Sequence, residues 1–169
     1  TVGAVVGKQA GKPLGDTSTA ESLAGIVSLK NTPTNTQAAD LIDAGLYVLQ
    51  ERGPVTVVKD TTTSSDPRFE RVAWSEIVDE ATAISQTISQ NFIGSANIAD
   101  NRLVLAENHR SAYDELQSNN LLDEYAVTVS EGANAGEVDL NIGLNVVDYM
   151  DRIVVDIRVG DVVTNGGVA

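Results

Sequence analysis

The chain has 169 residues, enough for one domain with a sizeable core, and 42% of them are hydrophobic, a globular composition and not a disordered one. Aromatics make up only 4%, so the core must be mainly aliphatic, and the lack of cysteine removes disulfides, thiolate metal sites and cysteine nucleophiles. The net charge is -13, from 24 acidic and 11 basic residues spread along the chain, which makes nucleic acid and anionic membranes poor partners. No apolar run approaches the length of a membrane span, and no signal peptide is visible. The chain starts at Thr1, already inside an apolar phrase, and reads as processed or incomplete, one part of a longer polypeptide. Two readings of the acidity stay open: a surface solubilised in ordinary salt, or a protein of a high-salt cytoplasm. At molar salt the Debye length falls to about 3 Å, and such surfaces can pack side by side.

Residues 1–15 carry Gly3, Gly7 and Gly11 at intervals of four. The phrase GKQAGKPLG is no phosphate loop. Gly7 and Gly11 enclose three residues and Pro13 follows Lys12, where that motif needs four residues and then Ser or Thr. Small residues on a helix face or in a tight turn, letting another backbone approach, are the better reading. Residues 16–34 are rich in Thr, Ser and Asn, and their apolar centre at 23–29 predicts a strand. Residues 35–44 predict a short helix with Asn35 or Thr36 as N-cap and Gly45 as stop. Residues 46–49 and 55–58, separated by Glu51, Arg52, Gly53 and Pro54, predict a hairpin.

A polar tract at 61–66 closes on Asp66-Pro67 and leads into a helix of roughly five turns. Ile77, Ala81, Ile84 and Ile88 fall at i, i+4, i+7 and i+11 on one face, with Glu76, Asp79, Glu80, Gln86 and Gln90 mostly opposite, and Gly94 at the stop. A helix with one apolar face must lie on something, and the strands on either side of it in sequence are the expected surface. Residues 101–119 predict a second helix, with Leu105, His109, Ala112 and Leu116 on one face, Asp100 as cap, and Asn119 and Asn120 at the end. Residues 125–129 predict a strand and 131–136 a turn. Val138, Leu140, Ile142, Leu144 and Val146 then alternate with Asp139, Asn141, Gly143 and Asn145. Ile153, Val155, Ile157 and Val159 alternate with Val154, Asp156 and Arg158. Each run predicts a strand with one wet and one dry face. The expected architecture is α+β: a mixed or antiparallel sheet packed by two main helices, with terminal strand arms. It divides into an N-terminal segment (1–15), a single domain (16–159) and a C-terminal tail (160–169) of loop composition.

No residue pattern carries catalysis. His109 is the only histidine, has no partner for a metal pair, and on an apolar helix face reads as a packed core residue. The acidic pairs Asp79-Glu80, Asp114-Glu115 and Asp123-Glu124 are sequence neighbours that point in different directions on a helix, and read as solvated faces. Ser75, Ser85 and Ser111 lack nucleophile-elbow glycines. Asp139, Asn141, Asn145 and Asp148 lack the spacing of a calcium loop. No cofactor and no metal site is expected, and the chain reads as a non-enzyme.

The order of features is specific. AVVGKQAGKPLG precedes a helix into GLYVLQERGPVTVVKDTTT, followed by DPRFERVAWSEIVDEATAISQTISQNFIG. A second helix into SAYDELQSNNLLDEY and alternating strands ending IVVDIRV complete the series. Over about residues 1 to 160 this resembles the C-terminal part of contractile tail sheath proteins of phages and related injection systems. The chain lacks the large N-terminal part and insertions of typical sheaths, and it is far more acidic. The resemblance implies a structural subunit that stacks as rings into a helical sleeve around an inner tail tube. Its partners are then copies of itself and the tube protein, with no direct nucleic acid and no membrane. It implies a place in a virion tail or injection particle, assembled in the host cytoplasm, and terminal arms that add strands to the sheets of neighbours. Ile153, Val155, Ile157 and Val159 are the candidate self-assembly residues, either joining a neighbour's sheet or completing their own. Two alternatives remain. One is another virion component such as a tube or baseplate protein. The other is a small ligand-binding α+β module, marked by a deep pocket of perturbed acids or by Asp139, Asp148 and Asp151 converging on a metal.

Overall fold

Two stretches of the chain double back as antiparallel hairpins, and the computed structural model, which describes residues 2–149, packs the larger one under two long helices. The described elements run α1 (Val2–Ala10), α2 (Asn35–Asp43), β1 (Val48–Glu51), β2 (Val55–Lys59), α3 (Val72–Gln90), α4 (Ala99–Ser118), β3 (Leu122–Glu131) and β4 (Val138–Val146), with a short 3-10 turn at Pro67–Phe69 before α3. The expected α+β class, hairpin and two main helices are borne out. The strands form two separate pairs, β1 with β2 and β3 with β4.

The larger core follows the periodicities. On α3, Ala73, Ile77 and Ala81 are buried, with Ile84 packed behind them. Leu105, Ala106, His109, Tyr113 and Leu116 form the buried face of α4. These helices lie on the dry side of the β3–β4 pair, where Leu122 and Val127 are buried and Leu140, Ile142, Leu144 and Val146 pack half-buried. Val127 sits opposite Ile142 and Val129 opposite Leu140, so one face of both strands serves the core. A second cluster gathers Leu23, Val55 and Val57, with Val5, Ile26, Leu29, Tyr47 and Leu49 around them.

Several expectations are corrected. Residues 23–29 are not a strand. The chain before them follows β2 through Ala20 N to Val57 O (2.8 Å), Val57 N to Glu21 O (2.9 Å) and Leu23 N to Val55 O (2.8 Å). Gly25 then turns it away at φ +78°, leaving Val27 94% exposed. The cap of α2 is Thr34, one residue earlier than expected. Its side chain accepts from Gln37 N while the Gln37 side chain accepts from Thr34 N, a reciprocal box the sequence spells as Thr-x-x-Gln. Helix α4 is preceded by Ile98 with no side-chain cap, and Asp100 lies inside its first turn, where its charge suits the helix dipole. On α1 no atom of another segment lies within 4 Å of a Cβ placed at Gly3 or Gly7, so no backbone approaches that face among the described residues.

Candidate functional site

The candidate self-assembly residues Ile153, Val155, Ile157 and Val159 lie outside the described residues. The described residues end at Tyr149, three positions past β4. In an antiparallel pair, each strand turns half of its backbone groups away from its partner. Two carbonyls of β3 are taken by α4: Gln117 Nε2 donates to Asp123 O (2.7 Å) and Arg110 Nη2 to Val127 O (3.3 Å). Among the described residues, no helix side chain donates to a carbonyl of β4, and β4 pairs with no strand but β3. The wet face of β4 presents Asp139, Asn141, Gly143 and Asn145 to solvent.

Beside the segment that follows β4 lies a polar centre that the sequence did not announce. Asp60 follows β2 and Arg71 precedes α3, and Val72 N donates to Asp60 O (3.1 Å), which closes the loop between them. The pair is buried, Asp60 at 0% and Arg71 at 2% exposure, with Arg71 Nη1 3.3 Å from Asp60 Oδ1. Thr19 Oγ1 donates to the same carboxylate oxygen at 2.9 Å and accepts from Asp60 N at 3.2 Å. The Arg71 guanidinium sits over two rings, 5.4 Å from the centre of Trp74 and 5.5 Å from that of Tyr149. At that separation a guanidinium is held by the negative ring faces, more strongly once water is excluded.

The segment leaving β4 is fastened at the same place. Val147 N donates to Leu121 O (3.2 Å), Trp74 Nε1 donates to Val147 O (3.2 Å), and the Tyr149 hydroxyl donates to Gly15 O. Burial raises the Tyr149 phenol above its usual range, and the nearby Asp60 charge adds to that, so it remains a donor at neutral pH. Gly15 has φ +78°, and a Cβ there would stand 2.6 Å from Leu121 Cδ2 and 3.1 Å from Ile77 Cδ1; only glycine fits. Upstream, Gln9 Nε2 donates to Glu76 and Ser18 Oγ to Gln9 Oε1, tying α1 to α3 and to residues 16–22.

The residues weighed for chemistry are dispersed. His109 is fully buried, its Nδ1 2.8 Å from Leu105 O, and it stacks obliquely near Tyr113, as expected of a packed histidine. Asp79, Glu80, Asp114, Glu115, Asp123 and Glu124 are all exposed. Ser75 Oγ donates to Arg71 O, Ser85 joins the Tyr113 hydroxyl, and Ser111 faces solvent. Asp139, Asn141, Asn145 and Asp148 are exposed, and among the described residues no three His, Asp or Glu side chains could hold a metal ion. Glu21 and Asp66 sit below the usual carboxylate range because Lys12 and Arg68 respectively donate hydrogen bonds to them. A cleft of about 330 Å³ between the α3–α4 turn and the start of β4 is lined by Phe92, Ile93, Arg102, Leu105 and Val138, with no carboxylate.

The fold is shared with solved structures. The chain superposes on a protein of the anti-feeding prophage baseplate with a TM-score of 0.79 at 16% identity, covering 92% of this chain and 48% of that one. For the contracted helical sheath of the same system the values are 0.77 and 18%, covering 91% and 48%. For a sheath tail protein from Listeria innocua they are 0.70 and 17%, covering 86% and 38%. The chain thus spans about half the length, or less, of the solved chains it matches. No curated protein matches it in sequence. Residues 64–160, more than half of the chain, match the model of the phage tail sheath C-terminal domain, and the chain belongs to that family.

Proposed function

We propose that this domain is the self-joining part of a contractile sheath subunit, a structural and non-enzymatic protein whose copies build a helical sleeve around an inner tube. Family membership and the shared fold support the reading. The observation that carries it is the β3–β4 hairpin. It is long, one face is backed by α3 and α4, and β4 has no outer partner among the described residues. A bare two-stranded sheet is marginal in water, and each further strand adds backbone hydrogen bonds at about 1 kcal/mol net apiece. A strand of a neighbouring copy laid along β4 would supply them, and repetition around a ring multiplies a weak joint into a strong one. The alternating residues Ile153, Val155, Ile157 and Val159 are our candidates for that strand. Residues 1–15 and 160–169 then act as terminal segments of the 16–159 domain, and the particle is a virion tail or injection device.

Electron microscopy of the concentrated chain should show rings or regular tubes. Val155→Asp charges the dry face of the joining strand and is expected to abolish them while leaving the melting temperature within about 2 °C of wild type. Tubes at wild-type density from this variant would remove residues 153–159 from the contact. A chain that stays monomeric at every salt and concentration would remove the sheath reading itself.

A further inference from the structure

We infer that Arg71, Trp74 and Tyr149 are positioning residues for assembly: they clamp the chain leaving β4 onto the root of the N-terminal segment, so that both terminal segments depart from one fastened point. This rests on the proposed joining of copies through those segments. Three contacts from separate parts of the chain converge there. Trp74, in the first turn of α3, holds Val147 by its indole N–H at 3.2 Å. Tyr149 lies against the Arg71 guanidinium on one side and gives its hydroxyl to Gly15 O on the other, a contact across 134 positions of sequence. Arg71 is held in turn by Asp60, which Thr19 also grips.

Neither Trp74 nor Tyr149 belongs to either apolar cluster, so the hydrophobic cores do not account for them. Their arrangement serves location. Val147 is bonded at both its N–H and its carbonyl, and two residues later the tyrosine is anchored on the segment that follows α1. A strand that must reach a neighbour in register needs a fixed origin, because a one-residue slip exchanges its wet and dry faces. A pull on either terminal segment would pass through this clamp directly to the other, bypassing β3 and β4.

Trp74 is the only tryptophan, so its emission reports the clamp without a label. Tyr149→Ala is expected to shift Trp74 emission to longer wavelength, to leave the melting temperature of the unassembled subunit nearly unchanged, and to raise the critical concentration for assembly on the order of tenfold. Tyr149→Phe keeps the ring on Arg71 and loses only the bond to Gly15; it should recover the emission and part of the assembly. Wild-type assembly by Tyr149→Ala would overturn the inference. Should Tyr149→Ala prove unstable, Tyr149→Phe decides: assembly at the wild-type concentration overturns it, and a raised concentration at an unchanged melting temperature supports it. If the wild-type chain itself fails to assemble, the sheath reading falls separately, and the clamp then stands or falls on whether Tyr149→Ala moves the Trp74 emission.

Discussion

Asp60 and Arg71 are ordinary charges in the sequence, flanking a Thr/Ser tract of the kind that lies on surfaces, and the structure buries both. Nothing periodic marks them, because their pairing, across eleven positions of sequence, is made by a loop that folds back on itself and not by a repeating element. A buried ion pair adds little beyond an apolar replacement, yet breaking it strands a charge away from water. Asp60→Ala removes the carboxylate that pairs with Arg71 and accepts from the Thr19 hydroxyl, while the backbone N–H at position 60 can still donate to Thr19 Oγ1. It is expected to lower unfolding stability by about 3–5 kcal/mol, measured by urea denaturation. A midpoint equal to wild type would show that Arg71 finds sufficient solvation without it. His109 was legible where Asp60 was not: its place on the Leu105, Ala112 and Leu116 face of α4 was set by helical spacing, and it is indeed buried.

Among the elements, α3, α4 and β4 were legible because each repeats its apolar residues at its own period over nine residues or more. The stretch 23–29 was not. Its apolar run is interrupted by Gly25, whose positive φ is chosen by the tertiary course of the chain and not by local composition. The separation of the sheet into two hairpins was equally hidden, since period-2 alternation states which face is dry and not which strand lies alongside. The apolar face of α3 is itself uneven. Ile77 is fully buried at the centre of the larger core, whereas Ile88 is half-buried at the far end and outside that cluster. Ile77→Ala should therefore cost about 2–5 kcal/mol. Ile88→Ala should cost roughly 1 kcal/mol or less, as befits a position near the surface. Equal losses by thermal melts would mean that the two turns of α3 share one environment, contrary to the packing described.

At the scale of the molecule, the net charge of -13 must be reconciled with the proposal that the protein packs against its own copies. Like-charged surfaces repel over the Debye length, about 10 Å at 0.1 M salt and about 3 Å at 1 M. The contacts proposed to hold copies together, backbone hydrogen bonds along β4 and an apolar strand face, are not weakened by ions in the way a salt bridge is, and burial of the apolar face is strengthened by excluded salts. Salt therefore removes the opposing term and leaves the joining term. The critical concentration for assembly should fall as NaCl rises from 0.1 to 1 M, by on the order of tenfold or more, since each 1.4 kcal/mol of relieved repulsion is a factor of ten. Light scattering across a salt series measures it. Surface ion pairs such as Lys8 and Lys12 with Glu21 and Arg68 with Asp66 lie within one subunit and are partly exposed, so their screening should change subunit stability little. A critical concentration that instead rises with salt would mean that copies are held by opposite charges across the interface. The acidic surface would then be a binding face for a basic partner and not a barrier to be screened.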